Sequence, residues 1–324
     1  LAPADDRPAA AASAPTSIRT PTPLTLALAG DVHFEGPLRG LLAADPRGVL
    51  AQVAPLLADA DVAVVNLETA ITERGRPEPK AFTFRAPPTA LVALAAAGVD
   101  AASMANNHAL DFGPESVVDA LAAGRSHGFP LVGIGGNAAE AYAPWRVEVR
   151  GVRVAVLAAS QVLPTPGWAA TDRRAGVASA YDVARLDAAV RAVRAGADVV
   201  VVYLHWGTER TTCPNAAQRR LARTLVDAGA DVVAGTHAHR LQGAGRLGDA
   251  FVAYGLGNFA FSTPSGPGAE TGVLRLTLTG RRVATYAWAP ARIGGGVPVP
   301  LSGPAAAVAT ADWHARRSCT DLAA

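Results

Sequence analysis

The sequence predicts an α/β fold in which two mixed β-sheets pack together and helices flank them. From Leu24 to about residue 240, short apolar runs alternate with segments of helical period, the mark of strands joined by crossover helices. From Gly243 onward strand follows strand, joined by short turns such as Gly248-Asp249 and Gly280-Arg281. In addition, five Val/Ala-rich runs end in residues able to hold a cation, as expected where the carboxyl ends of open-sheet strands converge.

The elements follow in order. Leu24 to Gly30 is a buried strand, and 36–60 reads as two helices interrupted near Asp45 to Gly48. Val62 to Leu67 is a strand, and Thr72 to Pro88 a long polar loop with four prolines. A helix from about Pro88 to Ala97 ends at Gly98, the residue that most easily takes the left-handed C-terminal position. Val99 to Ala105 is a strand, and Pro114 opens a helix to His127, since proline loses nothing at a first turn. Leu131 to Ile134 is a short strand, and Trp145 to Ala159 alternates across Gly151 as a hairpin. A helix over 182–195, a strand over 198–204, a helix over 214–228 and a strand over 231–234 complete the alternating part. Strands at 245–247, 251–254, 273–279 and 282–288 form the rest. The expected organisation is a flexible Ala/Pro-rich tether over 1–23, one domain over 24–290 and a weakly patterned tail over 291–324.

A chain of 324 residues, half of them hydrophobic, can bury a large core, and a net charge of +2 gives no reason to expect nucleic acid as a partner. Basic residues are nearly all Arg, with Lys80 the only lysine. No run is long and apolar enough to span a bilayer. The chain starts at Leu1, which leaves room for a removed upstream signal or anchor; with the tether, the expectation is an extracytoplasmic, membrane-tethered protein, with a cytoplasmic one as the alternative. Cys213 and Cys319 are too far apart for a CxxC motif. They form either a disulfide, which fits an oxidising compartment, or two separate thiols.

The strand tips carry Asp31 and His33 (GDVH), Glu68 (VVNLE), Asn107 and His108 (ANNH), His205 (YLHWG), and His237 and His239 (GTHAH). Residues two apart on an extended chain share a side, so Asp31 and His33 can reach one point. A mixed nitrogen and oxygen set suits transition metals such as Mn, Fe or Zn better than Mg or Ca. It also exceeds what one ion needs. Two ions roughly 3.5 to 4 Å apart with a bridging carboxylate would use it all.

These phrases, taken in order, resemble the calcineurin-like metallophosphoesterase superfamily, and NLETAIT, FRAPP, ANNHALDFG, HWGTE, GTHAH and GLGNF resemble its CapA branch of poly-gamma-glutamate capsule synthesis proteins. The resemblance implies that Asp31, His33 and His239 hold a first metal. Glu68 would bridge to a second held by Asn107, His205 and His237. His108 would be the acid/base with Asp111 as its orienting partner, and Glu209 and Asn258 would orient ligands from behind. Glu68 stands where the superfamily usually has Asp, and His33 is a ligand many CapA relatives lack. Arg85 is read both as a bidentate clamp for an anion and as a loop-ordering residue.

The implied function is a dinuclear metal-dependent hydrolase acting outside the membrane on a polymer, peptide or phosphoester, with membrane synthase subunits as partners. A peptide epimerase using His108 to move a Cα proton is the second expectation. A metal-stabilised, non-catalytic subunit of a synthase or export complex is the third.

Overall fold

The computed structural model describes residues 22–263 and 265–324. Most of the expected tether, residues 1–21, lies outside the described residues. The first sheet runs Val297–Pro300, Arg282–Gly294, Glu270–Thr279, Leu24–Val32, Val62–Leu67, Ala101–Ser103, Leu131–Val132. The second runs Ala244–Leu247, Ala250–Ala253, Val232–Thr236, Val199–His205, Val152–Ser160, Trp145–Val149. The strands that feed the site pair in parallel within each sheet, which sets their carboxyl ends at one edge.

Period-two alternation assigns each strand residue to a layer. Leu24, Leu26, Leu28, Val62 and Val64 of the first sheet meet Val154, Val156, Val199, Val201 and Val232 of the second in an inter-sheet core. On the outer face of the first sheet, Ala27, Ala29, Ala63 and Val65 pack under Leu38 and Leu42 of helix Pro37–Ala44, Leu91 and Leu94 of helix Thr89–Ala96, and Val117 of helix Glu115–His127. On the outer face of the second, Leu157, Val200, Val202 and Val233 meet Leu186 and Val190 of helix Val183–Arg194 and Leu221 and Leu225 of helix Ala216–Ala228. The result is the expected helix/sheet/sheet/helix sandwich. Because the strands are buried on both faces, they read as continuous apolar runs rather than alternating ones.

Two features differ from the sequence expectation, and one alternative that it left open is resolved. The boundary at 290 falls inside strand Arg282–Gly294, and the segment after it forms strand Val297–Pro300 and helix Gly303–Ala315. Trp313 of that helix stacks on Trp288 with ring centroids 5.1 Å apart, so the segment belongs to the same body. Its alanine-rich helix has no marked polar face, which is why the sequence pattern looked weak. Strand Asn258–Ala260, not expected, pairs in parallel with the end of Leu24–Val32, setting Asn258 opposite Asp31. This pairing needs glycine at position 30, because a Cβ there would lie 2.0 Å from the carbonyl oxygen of Gly257. Finally, Cys213 and Cys319 form a disulfide with Cα atoms 5.7 Å apart, closing the C-terminal segment onto the loop after His205. Among the described residues, no helix is long and apolar enough to cross a membrane.

Candidate metal centre

Asp31 lies near the end of strand Leu24–Val32, Glu68 just beyond Val62–Leu67, and His205 at the last position of Val199–His205. His237 and His239 follow Val232–Thr236 with φ of 84° and 51°. The left-handed region is unfavourable for residues with a Cβ, and such strain gathers at functional sites. Here it turns two imidazoles inward from one short loop. The His237 N–H donates to Asp31 Oδ2 at 3.2 Å, so the two sheets are joined through the site itself.

Two ligand groups close up around Glu68: Glu68 with His237 and His239, and Glu68 with Asp31 and His205. Glu68 is common to both. Across the two groups, His239 Nδ1 also lies 3.3 Å from Asp31 Oδ2 and His237 Nδ1 3.1 Å from His205 Nε2, the neighbours that the resemblance pairs. Asn107 joins the set through its Oδ1, 2.7 Å from His205 Nε2.

Glu68 is fully buried, and neither carboxylate oxygen has a hydrogen-bond partner. Imidazole nitrogens of His205, His108 and His239 stand 3.4, 3.8 and 3.9 Å from Oε1. Burial, with the nearby Asp31 charge, pushes the Glu68 carboxyl up to about 8. A buried carboxylate without partners costs several kcal/mol, and a cation offsets that cost. Burial holds His205 and His237 down at about 3, so both imidazoles are neutral and offer lone pairs. Burial alone would lower His239 too, but Glu68 and Asp31 outweigh it and raise the imidazole to about 9. Burial would raise Asp31, yet the hydrogen bond from His239 and the charge of His205 hold it at about 2. The donor set fits divalent metal ions.

The remaining expected residues divide. Asn258 accepts from His239 Nδ1 at 2.8 Å and donates to the Gly268 carbonyl at 2.9 Å, so it holds the His239 ring in place. His108 Nδ1 lies 2.6 Å from Asp111 Oδ2, which fixes Nδ1 as the donor and leaves Nε2 facing the cleft. His33 is not brought into the ligand groups. Its Nδ1 accepts the Glu35 N–H at 2.9 Å, and its Nε2 lies 3.2 Å from Ser262 Oγ and N. The His33 ring instead stacks on Phe84 at 4.4 Å, and Phe84 stacks on His108 at 4.1 Å. The contacts of Arg85 fit the loop-ordering alternative. Its guanidinium donates to the carbonyl of Arg74 at 2.6 Å and lies 3.5 Å over the Phe112 ring. Glu209 is exposed and lines the mouth of the cleft, so it does not sit behind a ligand.

Sequence reading missed Asn66 and Asn106. Asn66 donates to Asp31 Oδ1 at 2.8 Å, while Asn106 donates to the Asn66 side chain at 3.2 Å and accepts the His108 N–H at 3.0 Å. The signal for Asn66 was present, because it lies two before Glu68 and so on the same side of the chain. A cleft of about 510 Å³ opens over the centre, walled by Phe82, Phe84, His108, His239, Arg210 and Arg240.

A four-layer sandwich with His, Asp and Glu gathered at the joined strand ends defines a calcineurin-like metallophosphoesterase fold. Solved structures agree on the fold. A hypothetical protein from Thermus thermophilus superposes with a TM-score of 0.54 at 18% identity, covering 84% of this chain and all of that one. A phosphatase from Mycoplasma pneumoniae gives 0.53 at 12% identity over 89% of this chain and 97% of that one. The NAD nucleotidase of Haemophilus influenzae gives 0.52 at 13% identity over 91% of this chain and 56% of that one. Residues 25–263 match the family model described as bacterial capsule synthesis protein PGA_cap, and the chain belongs to that family.

Among relatives, the capsule biosynthesis protein CapA of Bacillus anthracis is 27% identical over 90% of this chain and 72% of its own length. The PGA biosynthesis protein CapA of Bacillus subtilis (strain 168) is 31% identical over 61% of this chain and 52% of its own length. A probable polyglutamine synthesis accessory protein of Mycobacterium tuberculosis (strain H37Rv) is 34% identical over 55% of this chain and 50% of its own length. The match thus spans only about half the length of the latter two.

Proposed function

We propose that this chain is a metal-dependent hydrolase holding two divalent transition-metal ions (Mn, Fe or Zn) and acting on an anionic envelope polymer. The observation that carries the reading is Glu68, a buried carboxylate with no partner of its own, common to both ligand groups. Asp31, Glu68, Asn107, His205, His237 and His239 would hold the ions. When bound, such ions polarise a substrate oxygen and lower the pKa of water.

The chain's own residues supply the rest. His108 Nε2 faces the cleft and gives a proton to the departing oxygen or nitrogen, a contribution of about 10² to 10⁴ in rate. Asp111 keeps the His108 Nδ1–H in place and stabilises the ring when it is charged. Arg210 and Arg240 at the cleft wall give it a cationic side suited to carboxylates or phosphates along a polymer. The relatives' names, which speak of capsule and PGA biosynthesis and of polyglutamine synthesis, support a role in making such a polymer; synthase subunits as partners are part of the proposal. The Cys213–Cys319 disulfide supports a site of action outside the cytoplasm.

The test is His108→Asn. The variant should keep its metal content and lose on the order of 10²-fold or more of hydrolysis across a panel of phosphodiesters and γ-glutamyl amides. Full activity in a metal-loaded His108→Asn protein would refute the acid role.

A further inference from the structure

Lys80, the only lysine of the chain, reaches from the loop between Ile71 and Arg85 into the back of the His108 dyad. Its ammonium lies 2.5 Å from Asp111 Oδ1, as an ion pair whose angles fall short of a hydrogen bond. It donates to the Asn107 carbonyl at 2.5 Å, stands 3.3 Å from His108 Nδ1, and sits 5.3 Å above the Trp168 ring. Asp111 is fully buried, and its Oδ2 is already taken by the Phe84 N–H at 2.6 Å and by His108 Nδ1. Lys80 is therefore the one cation that Oδ1 meets among the described residues.

We propose that Lys80 is a positioning residue that keeps Asp111 an acceptor for His108 Nδ1–H and straps the 72–84 loop over the dyad. Two further contacts of the same loop fit the strap: the Glu78 N–H donates to the Asp111 carbonyl at 2.8 Å, and Phe84 is held between the His33 and His108 rings. A buried carboxylate that loses its cation keeps the full cost of desolvation. Without Lys80, Asp111 holds the imidazole less firmly, the ring samples both tautomers, and the loop loses its link to Asn107. The proposal rests on the acid role given to His108, but its main readout does not require hydrolysis.

The experiment uses the metal-free full chain with ¹⁵N-labelled histidine, assigning the His108 ring signals by their loss in His108→Asn. Wild type and Lys80→Arg should show His108 as the Nδ1–H tautomer. Lys80→Met should show a mixture of the two tautomers, with the Phe84 amide exchanging at least tenfold faster. Lys80→Cys should behave like Lys80→Met, and alkylation with 2-bromoethylamine, which restores an ammonium of the same reach, should return both signals to the wild-type state. If Lys80→Met fails to fold, Lys80→Cys before and after alkylation carries the comparison. A wild-type His108 signal in Lys80→Met, or no recovery on alkylation, overturns the proposal. The tautomer change without any metal-dependent hydrolysis would leave Lys80 in its role and refute only the function reading.

Discussion

Replacing Glu68 by Gln should stabilise the metal-free protein at alkaline pH. Burial, aided by the Asp31 charge, raises the Glu68 carboxyl from its usual 4.5 to about 8. Below pH 4.5 the group is protonated in both the folded and unfolded chains and contributes no difference. Between 4.5 and about 8 the unfolded chain releases the proton and the folded one keeps it, so metal-free stability falls as pH rises. At about 1.4 kcal/mol for each tenfold change in proton affinity, the loss is complete above pH 8 at about 5 kcal/mol. The rise of His239 against the effect of burial comes first from the same Glu68 charge, so it is not added separately.

A glutamine of the same shape carries no charge but leaves a buried amide without partners, at a cost of about 1 to 3 kcal/mol. The net gain for Glu68→Gln at pH 8.5 is then about 2 to 4 kcal/mol. Urea unfolding with EDTA present, at about pH 5 and pH 8.5, measures it. Wild type should lose stability between the two pH values and Glu68→Gln should lose much less. Equal pH dependence in the two proteins would refute the view of Glu68 as an uncompensated buried carboxyl.

Two further outcomes are expected. Replacing both Cys213 and Cys319 by Ala opens a loop with a sequence separation of 106 residues, and should cost about 2 to 5 kcal/mol in urea unfolding; unchanged stability would mean that the bond does not constrain the unfolded chain. Gly30→Ala places a methyl group against the Gly257 carbonyl and should cost about 1 to 3 kcal/mol. It should also weaken metal binding by separating Asn258 from Asp31 and His239, and calorimetric titration with Zn showing wild-type affinity would contradict that.

Much of the site was legible because parallel strands buried on both faces write themselves as apolar runs, and the residues just past the end of each run are free to carry chemistry. Asp31, Glu68, His205, His237 and His239 could be placed on that basis alone. The residues read differently in the structure are those whose direction depends on a loop. His33 is two residues beyond Asp31 and shares its side on an ideal strand, but the register of strand Leu24–Val32 shifts between Asp31 and Val32 against Asn258–Ala260. The imidazole is taken up by Glu35, Ser262 and Phe84 instead. Arg85 and Lys80 share one proline-rich loop, and no periodicity says which of them turns inward. The lysine does, and the arginine stays with its own loop. Helix Gly303–Ala315 was hidden for another reason, since an alanine-rich segment needs no polar stripe to pack one tryptophan.

The most direct test of the central claim is the metal content of the protein purified without chelators, measured by elemental analysis for wild type and Glu68→Ala. The account predicts close to two equivalents of Mn, Fe or Zn per chain in wild type and a clear loss in Glu68→Ala. Absence of metal in wild type even after reconstitution, or equal content in both proteins, would contradict it.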